Sequence, residues 1–503
     1  MPEKSHDTWP EAFVSTAETA VAVSRAVKAG KLRKLASRLY TRNLRDDPKQ
    51  IVRRNLWQIV GGYFPGGLIA DRTALENAPA EDGSVCLVAE RGADIELPGI
   101  ILRPRRGVAP LPEDRPFIGS LFLSSTARAY LENMRASRRA RGGFVARTLS
   151  RKEIEEKLDA VLQRNGEDGL NRLRDDIRAL APALGLEVEA KALDEVIGTL
   201  LGTRAVEMVS PRGRARQAGR PYDPERVELF HALHRELRDH VPAPVPAKRR
   251  DERAAATLAF FEAYFSNFIE GTEFEVGEAA AIVFDGVIPA DRPQDAHDIL
   301  GTWRVVSDSV ELGRRPATPT EFVSLLRSRH AAIMDQRPDK GPGSFKALSN
   351  RAGSTIFVAP ELVAGTLDQG FALLHSLAAP FHRAVFMMFL VAEVHPFADG
   401  NGRTARIMMN AELVASGEER IVIPTVYRNN YLSALKALSQ NGLPEPLVRT
   451  LDYAQRWTNA VPWGSLDDTR RILESCHAFL NPNEAEEAGI RLVMPRASAA
   501  ERR

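Results

Sequence analysis

Residues 395–406 read His395-Pro396-Phe397-Ala398-Asp399-Gly400-Asn401-Gly402-Arg403-Thr404-Ala405-Arg406, and this stretch decides the fold around it. Upstream, residues 384–394 (AVFMMFLVAEV) are too apolar for an exposed helix and too short to cross a membrane. They predict a core helix that ends beside the histidine. Residues 404–414 predict a second helix. The glycines then lie in a turn between two buried helices, aimed at the N-terminus of the second. There, unpaired N–H groups and the positive end of the helix dipole favour an anion.

Each side chain in the run has a chemical reason to be there. An imidazole at His395 suits proton removal near neutral pH, and Pro396, which disfavours helical geometry in the residue before it, predicts an extended His395 with its ring free to enter a cleft. Phe397 is the apolar anchor of the loop. Asp399 is a lone hard oxygen ligand, which is enough where phosphate oxygens complete a magnesium shell. Gly400 and Gly402 allow close approach of phosphate, and the Asn401 amide is a donor. Arg403 and Arg406, three apart on a helix, share a face, and their guanidinium forks match phosphate oxygens.

The run resembles the signature of the Fic (Fido) family, His-x-Phe-x-Asp/Glu-Gly-Asn-Gly-Arg-x-x-Arg, with every specified position present. The resemblance implies an all-helical domain that moves AMP from ATP, with Mg2+, onto a Ser, Thr or Tyr hydroxyl of a target protein. In that scheme His395 deprotonates the target and Asp399 holds magnesium. Asn401 and the turn amides at Gly400 and Gly402 grip the α- and β-phosphates, while Arg403 and Arg406 steady the triphosphate. Relatives with lysine at the second glycine phosphorylate instead, and Gly402 argues against that variant.

Further upstream, Phe265-Ser266-Asn267-Phe268-Ile269-Glu270-Gly271 resembles the inhibitory motif Ser/Thr-x-x-x-Glu-Gly/Asn of self-restrained Fic proteins. By that resemblance Glu270 pairs with Arg406, so that ATP binds in a pose that does not react. The competing expectation is that Ser266 and Glu270 are an exposed pair on an amphipathic helix whose core face is Phe261, Phe265, Phe268 and Ile269. The stretch that opens at Gly341 and closes at Val358 predicts a hairpin. In the family such a flap docks the target by edge pairing, and a plain surface hairpin is the alternative. Tyr431 and Asn441 are candidate lining residues of a nucleotide-base pocket, or ordinary packing and capping residues.

At 503 residues the chain predicts two or three domains, with 44% apolar content supporting full-size cores. Cys86 and Cys476, the two cysteines, offer no disulfide scaffold or structural zinc site. The first residues lack an apolar signal segment and no stretch spans a membrane, so a cytoplasmic location is expected.

The net charge of +2 hides a basic region from Arg25 to Arg54, with eleven lysines and arginines against Asp46 and Asp47. A helix over 19–28, Gly30 and an extended 36–41 suit a helix-turn-helix with a wing, which predicts either DNA binding or a solvated face. Residues 31–138 loosely resemble antitoxin-type regulators of abortive-infection systems in Leu39-Tyr40-Thr41, Pro65-Gly66-Gly67, Leu97-Pro98-Gly99 and Leu131-Glu132-Asn133. Strands are expected at 85–90, 95–103 and 117–123, then a helix over 126–134. Residues 242–250 (PAPVPAKRR) read as the linker between halves, and 210–224 as an arginine-bearing loop.

The expected architecture is mainly α: a Fic-type helical domain with a β-hairpin flap, preceded by a smaller α/β winged-helix-like domain. In segments, 1–140 is winged-helix-like, 141–250 a helical connector and linker, 251–315 the inhibitory-helix region, 316–460 the Fic core and 461–503 a tail. Two alternatives to AMP transfer stay open. One is AMP removal at the same site, with Glu270 positioning water, and the other is a DNA-binding regulator whose Fic half senses nucleotide.

Overall fold

In a computed structural model of the chain, the apolar run before His395 is the core helix Pro380–Val394, with Pro380 in its first turn where a missing N–H costs nothing. The structure describes residues 9–90, 92–137, 145–353 and 355–495. The stretch 1–8 used to exclude a signal segment, the ends of the 1–140 and 461–503 segments, and Ser354 in the flap lie outside the described residues.

The chain divides into two compact units, the first through Gly219 and the second from Arg220. The second unit is all helical apart from its flap. Around the core helix pack the helices Pro224–Asp239, Pro319–Ile333, Val363–His375, Asn401–Val414, Arg428–Asn441 and Glu445–Ala460. Phe230 lies 6.1 Å from both Phe386 and Phe389, and Phe322 stacks on Phe371 at 5.0 Å. Each such buried ring contributes about 1.5–3 kcal/mol. A second core gathers Phe261, Phe265, Trp457 and Trp463 around the helix Glu252–Ile269.

The proline-spaced segment 242–250, expected to separate the halves, lies inside this second unit. Pro246 bridges Glu418, and the Arg250 guanidinium pairs with the buried Glu419 carboxylate. Prolines here mark an extended strand-like crossing, held down by a partnered charge. The helix before it, Pro224–Asp239, buries Val227, Phe230, Leu233 and Leu237 in the same core.

The first unit is α/β. Its three-stranded antiparallel sheet runs β1 (Ala12–Val14), β3 (Leu39–Thr41), β2 (Arg33–Ala36). The six-stranded mixed sheet has the order β6 (Ile95–Leu97), β7 (Ile100–Arg105), β5 (Ser84–Val88), β4 (Leu68–Ile69), β9 (Leu121–Leu123), β8 (Arg115–Phe117). The single strand expected over 95–103 is two, because Pro98 has no N–H and Gly99 adopts φ 72° to turn the chain back. The predicted helix over 126–134 forms as Thr126–Asn133.

Where a helix-turn-helix was expected, one helix, Ala20–Lys28, leads through Gly30 (φ 69°) straight into the β2–β3 hairpin. The next helix begins only at Pro48, capped by the Asp47 carboxylate. The connector is the helix Arg151–Leu184, broken at Gly166, followed by Glu187–Leu200. The expected loop at 210–224 contains the short helix Pro211–Gln217, started by the Ser210 cap on Gly213 N–H. Among the described residues no helix is long and apolar enough to cross a membrane.

Candidate active site

The core helix ends at His395, which closes it in the left-handed conformation, φ 52° and ψ 58°, with its N–H donated to Val391 O at 3.1 Å. The proline that follows was expected to hold this residue extended. Helix termination overrides that preference, because a left-handed residue at this position satisfies a terminal carbonyl. The ring Nδ1 lies 3.2 Å from Ala392 O. Donation there fixes the tautomer and leaves the Nε2 lone pair able to accept a proton. Phe357 of the flap stacks flat on the imidazole, with centroids 3.7 Å apart and 5° between planes. Burial, assisted by the nearby Lys346 charge, pulls the His395 pKa down to about 4.

Between the helices the chain is tightly tied. Gly400 (φ 71°) is the N-cap of the signature helix Asn401–Val414, and its N–H bonds Asp399 Oδ1 at 2.7 Å. Asn401 is 1% exposed, and its amide accepts from Phe397 N–H at 2.8 Å and donates to Phe397 O at 2.9 Å. The side chain expected as a phosphate donor therefore fastens the loop. Gly402, expected in the turn, lies in the first turn of the helix. A Cβ there would fall 2.1 Å from Glu270 Oε1. The glycine thus leaves the space that the carboxylate fills.

Both signature arginines are buried and reach the helix Glu252–Ile269. Arg406 donates from Nε to Ser266 Oγ (2.9 Å) and from Nη2 to Ser266 O (2.8 Å) and Glu270 Oε1 (2.7 Å). Glu270 is the C-cap of that helix, and Gly271 continues it at φ 94°, a conformation that favours glycine. Ser266 is not on an exposed face: it is 6% exposed. Arg403 places Nη1 3.1 Å from Asp298 Oδ2 and 3.4 Å from Asn267 Oδ1. Arg337 shares Asp298 at 2.6 Å.

Four further residues hold this arrangement. His330 accepts Gly343 N–H on Nδ1 (2.9 Å), contacts Asp399 O through Nε2 (3.0 Å) and stacks on Phe397 at 3.6 Å. Burial pulls its pKa down to about 4, so it stays neutral with one nitrogen accepting and the other donating. Lys346, 5% exposed, donates Nζ to Asn350 Oδ1 at 2.7 Å, while its N–H bonds Pro396 O at 2.9 Å. Burial and the Arg226 charge lower its pKa to about 8. Arg226 pairs with Glu393 of the core helix at 2.6 Å and donates to Ile356 O of the flap. With Asp298, these lie 40 to 170 residues from the signature in sequence, and no local spacing points to them.

The flap is a short antiparallel hairpin, β10 (Arg351–Ala352) with β11 (Thr355–Ile356), whose β10 strand is exposed. Tyr431 is buried and gives its hydroxyl to Met388 Sδ at 3.3 Å, and Asn441 ends its helix exposed. Tyr431 also interacts with the Arg406 guanidinium. Asp399 Oδ2 makes no hydrogen bond among the described residues, and these contain no cluster of three metal-ligating side chains. The donor set fits an ion that takes one carboxylate and completes its shell with phosphate and water, as magnesium does.

In the first unit, Arg54 pairs with Glu11 and Asp46, and Arg33 and Arg38 donate to backbone carbonyls. Among the described residues no ion pair holds Arg25, Lys28, Lys31, Lys34, Arg42, Arg45, Lys49 or Arg53.

Residues 322–413 match the model of the Fic/DOC family. Among curated proteins, the chain is 25% identical over 240 residues to protein adenylyltransferase fic-1 of Caenorhabditis elegans, covering 45% of this chain and 46% of that one. It is 33% identical over 271 residues to protein adenylyltransferase Fic of Drosophila persimilis, covering 53% and 52%. The chain spans about half the length of the curated relatives it matches. A solved structure of Fic-1 from C. elegans aligns with TM-score 0.35 and 19% identity over 64% of this chain and 88% of that one, too distant to constrain the fold further. Over residues 322–413, which hold the core helix and the signature loop, the chain is thus similar to the Fic/DOC family.

Proposed function

We propose that this protein is a Fic-type nucleotidyltransferase that moves AMP from ATP to a Ser, Thr or Tyr hydroxyl of a target protein and is restrained by its own Glu270. The observation that carries the proposal is the neutral His395, with Nε2 free as a base, beside a helix N-terminus whose arginine is occupied by Glu270. The matched relatives are named protein adenylyltransferases.

In the reaction, the target oxygen bonds the α-phosphorus while the bond from α-phosphorus to the pyrophosphate oxygen breaks. The hydroxyl proton passes to His395 Nε2. Backbone N–H groups at the start of the signature helix, with Arg403 and Arg406, neutralise the phosphates. Asp399 would hold Mg2+, which supplies positive charge to the phosphate oxygens. Glu270 competes with phosphate for Arg406, so its carboxylate must withdraw for ATP to bind productively. The exposed β10 edge of the flap offers main-chain groups to an extended target segment. Buried, unpaired Cys86 and Cys476 fit a reducing compartment such as the cytoplasm. The unpaired basic residues of the first unit support DNA as a second partner, with affinity falling steeply as salt rises.

A two-label experiment tests the reading. With ATP labelled at the α-phosphate, label is expected on protein in lysate, more with Glu270→Gly, and γ-label is expected to give none. Label from the γ-phosphate would instead mark a kinase. Release of AMP from a modified target would make AMP removal the activity. No label from either position, even with Glu270→Gly, leaves the nucleotide-sensing regulator.

A further inference from the structure

The first unit contains a cavity of about 230 Å³ that the transferase reading does not use. Its floor is formed by Ser124, Ala129 and Tyr130, all buried, and its rim by Arg115 of β8 with Arg164 and Asn165 of the helix Arg151–Leu184, all exposed. Lys157, one helix face earlier, completes the wall. No acidic side chain lines it.

Three features converge there on a single chemistry. Arg115 and Arg164 form no ion pair among the described residues, so two guanidinium groups face the opening without a counter-charge. Lys157 donates to Leu75 O at 3.3 Å and its charge also acts on the Glu76 carboxyl, while its ammonium has further N–H groups to offer. Thr126, also in the lining, begins the helix Thr126–Asn133, whose first N–H groups have no intrahelical acceptor.

The independent sign of a ligand is Tyr130. It is 3% exposed, its ring is packed in the core, and its hydroxyl makes no hydrogen bond to any described residue. The hydroxyl oxygen keeps a little access to the cavity, so a ligand entering there meets a donor not already spent on the protein. Burial raises its pKa, so it remains a donor at neutral pH. Beside it the long helix is interrupted at Gly166 (φ 67°, ψ −175°), where a Cβ would meet nothing within 4 Å. The break therefore does not serve close packing, and it falls where Arg164 and Asn165 reach the rim.

We propose that this cavity binds the phosphate of a small phosphomonoester of sugar-phosphate size, with Arg115, Arg164 and Lys157 neutralising the dianion and the Tyr130 hydroxyl donating to one of its oxygens. The volume is below the range of drug-sized pockets, which suits a phosphorylated sugar and excludes a folded partner.

Calorimetry on the full-length protein at low salt tests the assignment, with ribose 5-phosphate, inorganic phosphate, ribose and a 5′-phosphorylated oligonucleotide as titrants. Ribose 5-phosphate is expected to bind at one site, inorganic phosphate more weakly and ribose not at all. Arg115→Ala and Arg164→Ala, both at exposed positions, are each expected to weaken binding about tenfold. Tyr130→Phe should weaken it a few-fold with the Tm unchanged. No saturable heat from either phosphate overturns the proposal, as does binding that all three substitutions leave intact. Equal affinity for inorganic phosphate would assign the free anion and overturn the sugar phosphate. Tighter binding of a 5′-phosphorylated oligonucleotide than of ribose 5-phosphate would assign a nucleic-acid end instead, and overturn it too.

Discussion

At the scale of single residues, the proposed chemistry divides between His395 and Glu270. His395 acts as a base only while neutral, and burial holds its pKa down to about 4. The acid limb of the AMP-transfer rate is therefore expected near pH 4–5, not near the ordinary imidazole value of about 6.5. Phe357→Ala uncovers the ring, and should move both that limb and the His395 NMR titration toward 6.5. An unmoved titration would show that the flap phenyl does not set the pKa. Glu270→Gly is expected to raise α-label transfer several-fold and to lower stability by about 1–3 kcal/mol, since Arg406 loses a charged partner in a buried position. Activity equal to or below wild type would remove the brake. The signature residues were legible because they are contiguous and each is chemically specific. Arg226, His330 and Asp298 were not, because their partners are brought to them only by tertiary packing. The Asn401 amide was legible as a donor, and only the fold shows that it also fastens the loop through Phe397.

At the scale of elements, the flap and the signature loop are one tied assembly. His330 joins them through Gly343 N–H on one side and Asp399 O on the other, and Asn350 donates to Phe397 O at 2.9 Å. His330→Ala removes both contacts and leaves a cavity beside Phe397, for an expected loss of about 2–4 kcal/mol in denaturant unfolding. The sign of its pH dependence follows from burial. The unfolded histidine takes a proton below about pH 6.5 and the folded one only below about 4. Stability is thus full above pH 6.5 and declines as pH falls toward 4. The variant should show a shallower decline across that window, and an identical slope would show that His330 does not titrate as described. The core and signature helices were readable from apolar patterning alone, and hairpin existence from its turn residues. The split of 95–103 at Pro98-Gly99 was missed because the β-favouring Ile95, Ile100 and Ile101 on either side outweighed a two-residue turn.

At the scale of the whole chain, the division at Gly219 and Arg220 predicts where the protein can be cut. A fragment of residues 220–503 is expected to melt cooperatively. One of residues 251–503 should not, because it lacks the buried Val227, Phe230, Leu233 and Leu237 and the Arg226 link to Glu393. Thermal unfolding followed by circular dichroism separates the two, and equal melting would return the boundary to the proline-spaced segment. Composition could not locate this boundary: prolines mark extended chain equally well in a linker and in a strand-like crossing pinned by Arg250 and Glu419.

Gly402 carries a consequence for how such a protein can change. The engaged carboxylate sits where the first atom of any other side chain would have to be. Enlarging that residue would push aside the far end of the Glu270 side chain, so under the proposed restraint a descendant that acquired even a methyl group there would hold its lock less tightly in the same step.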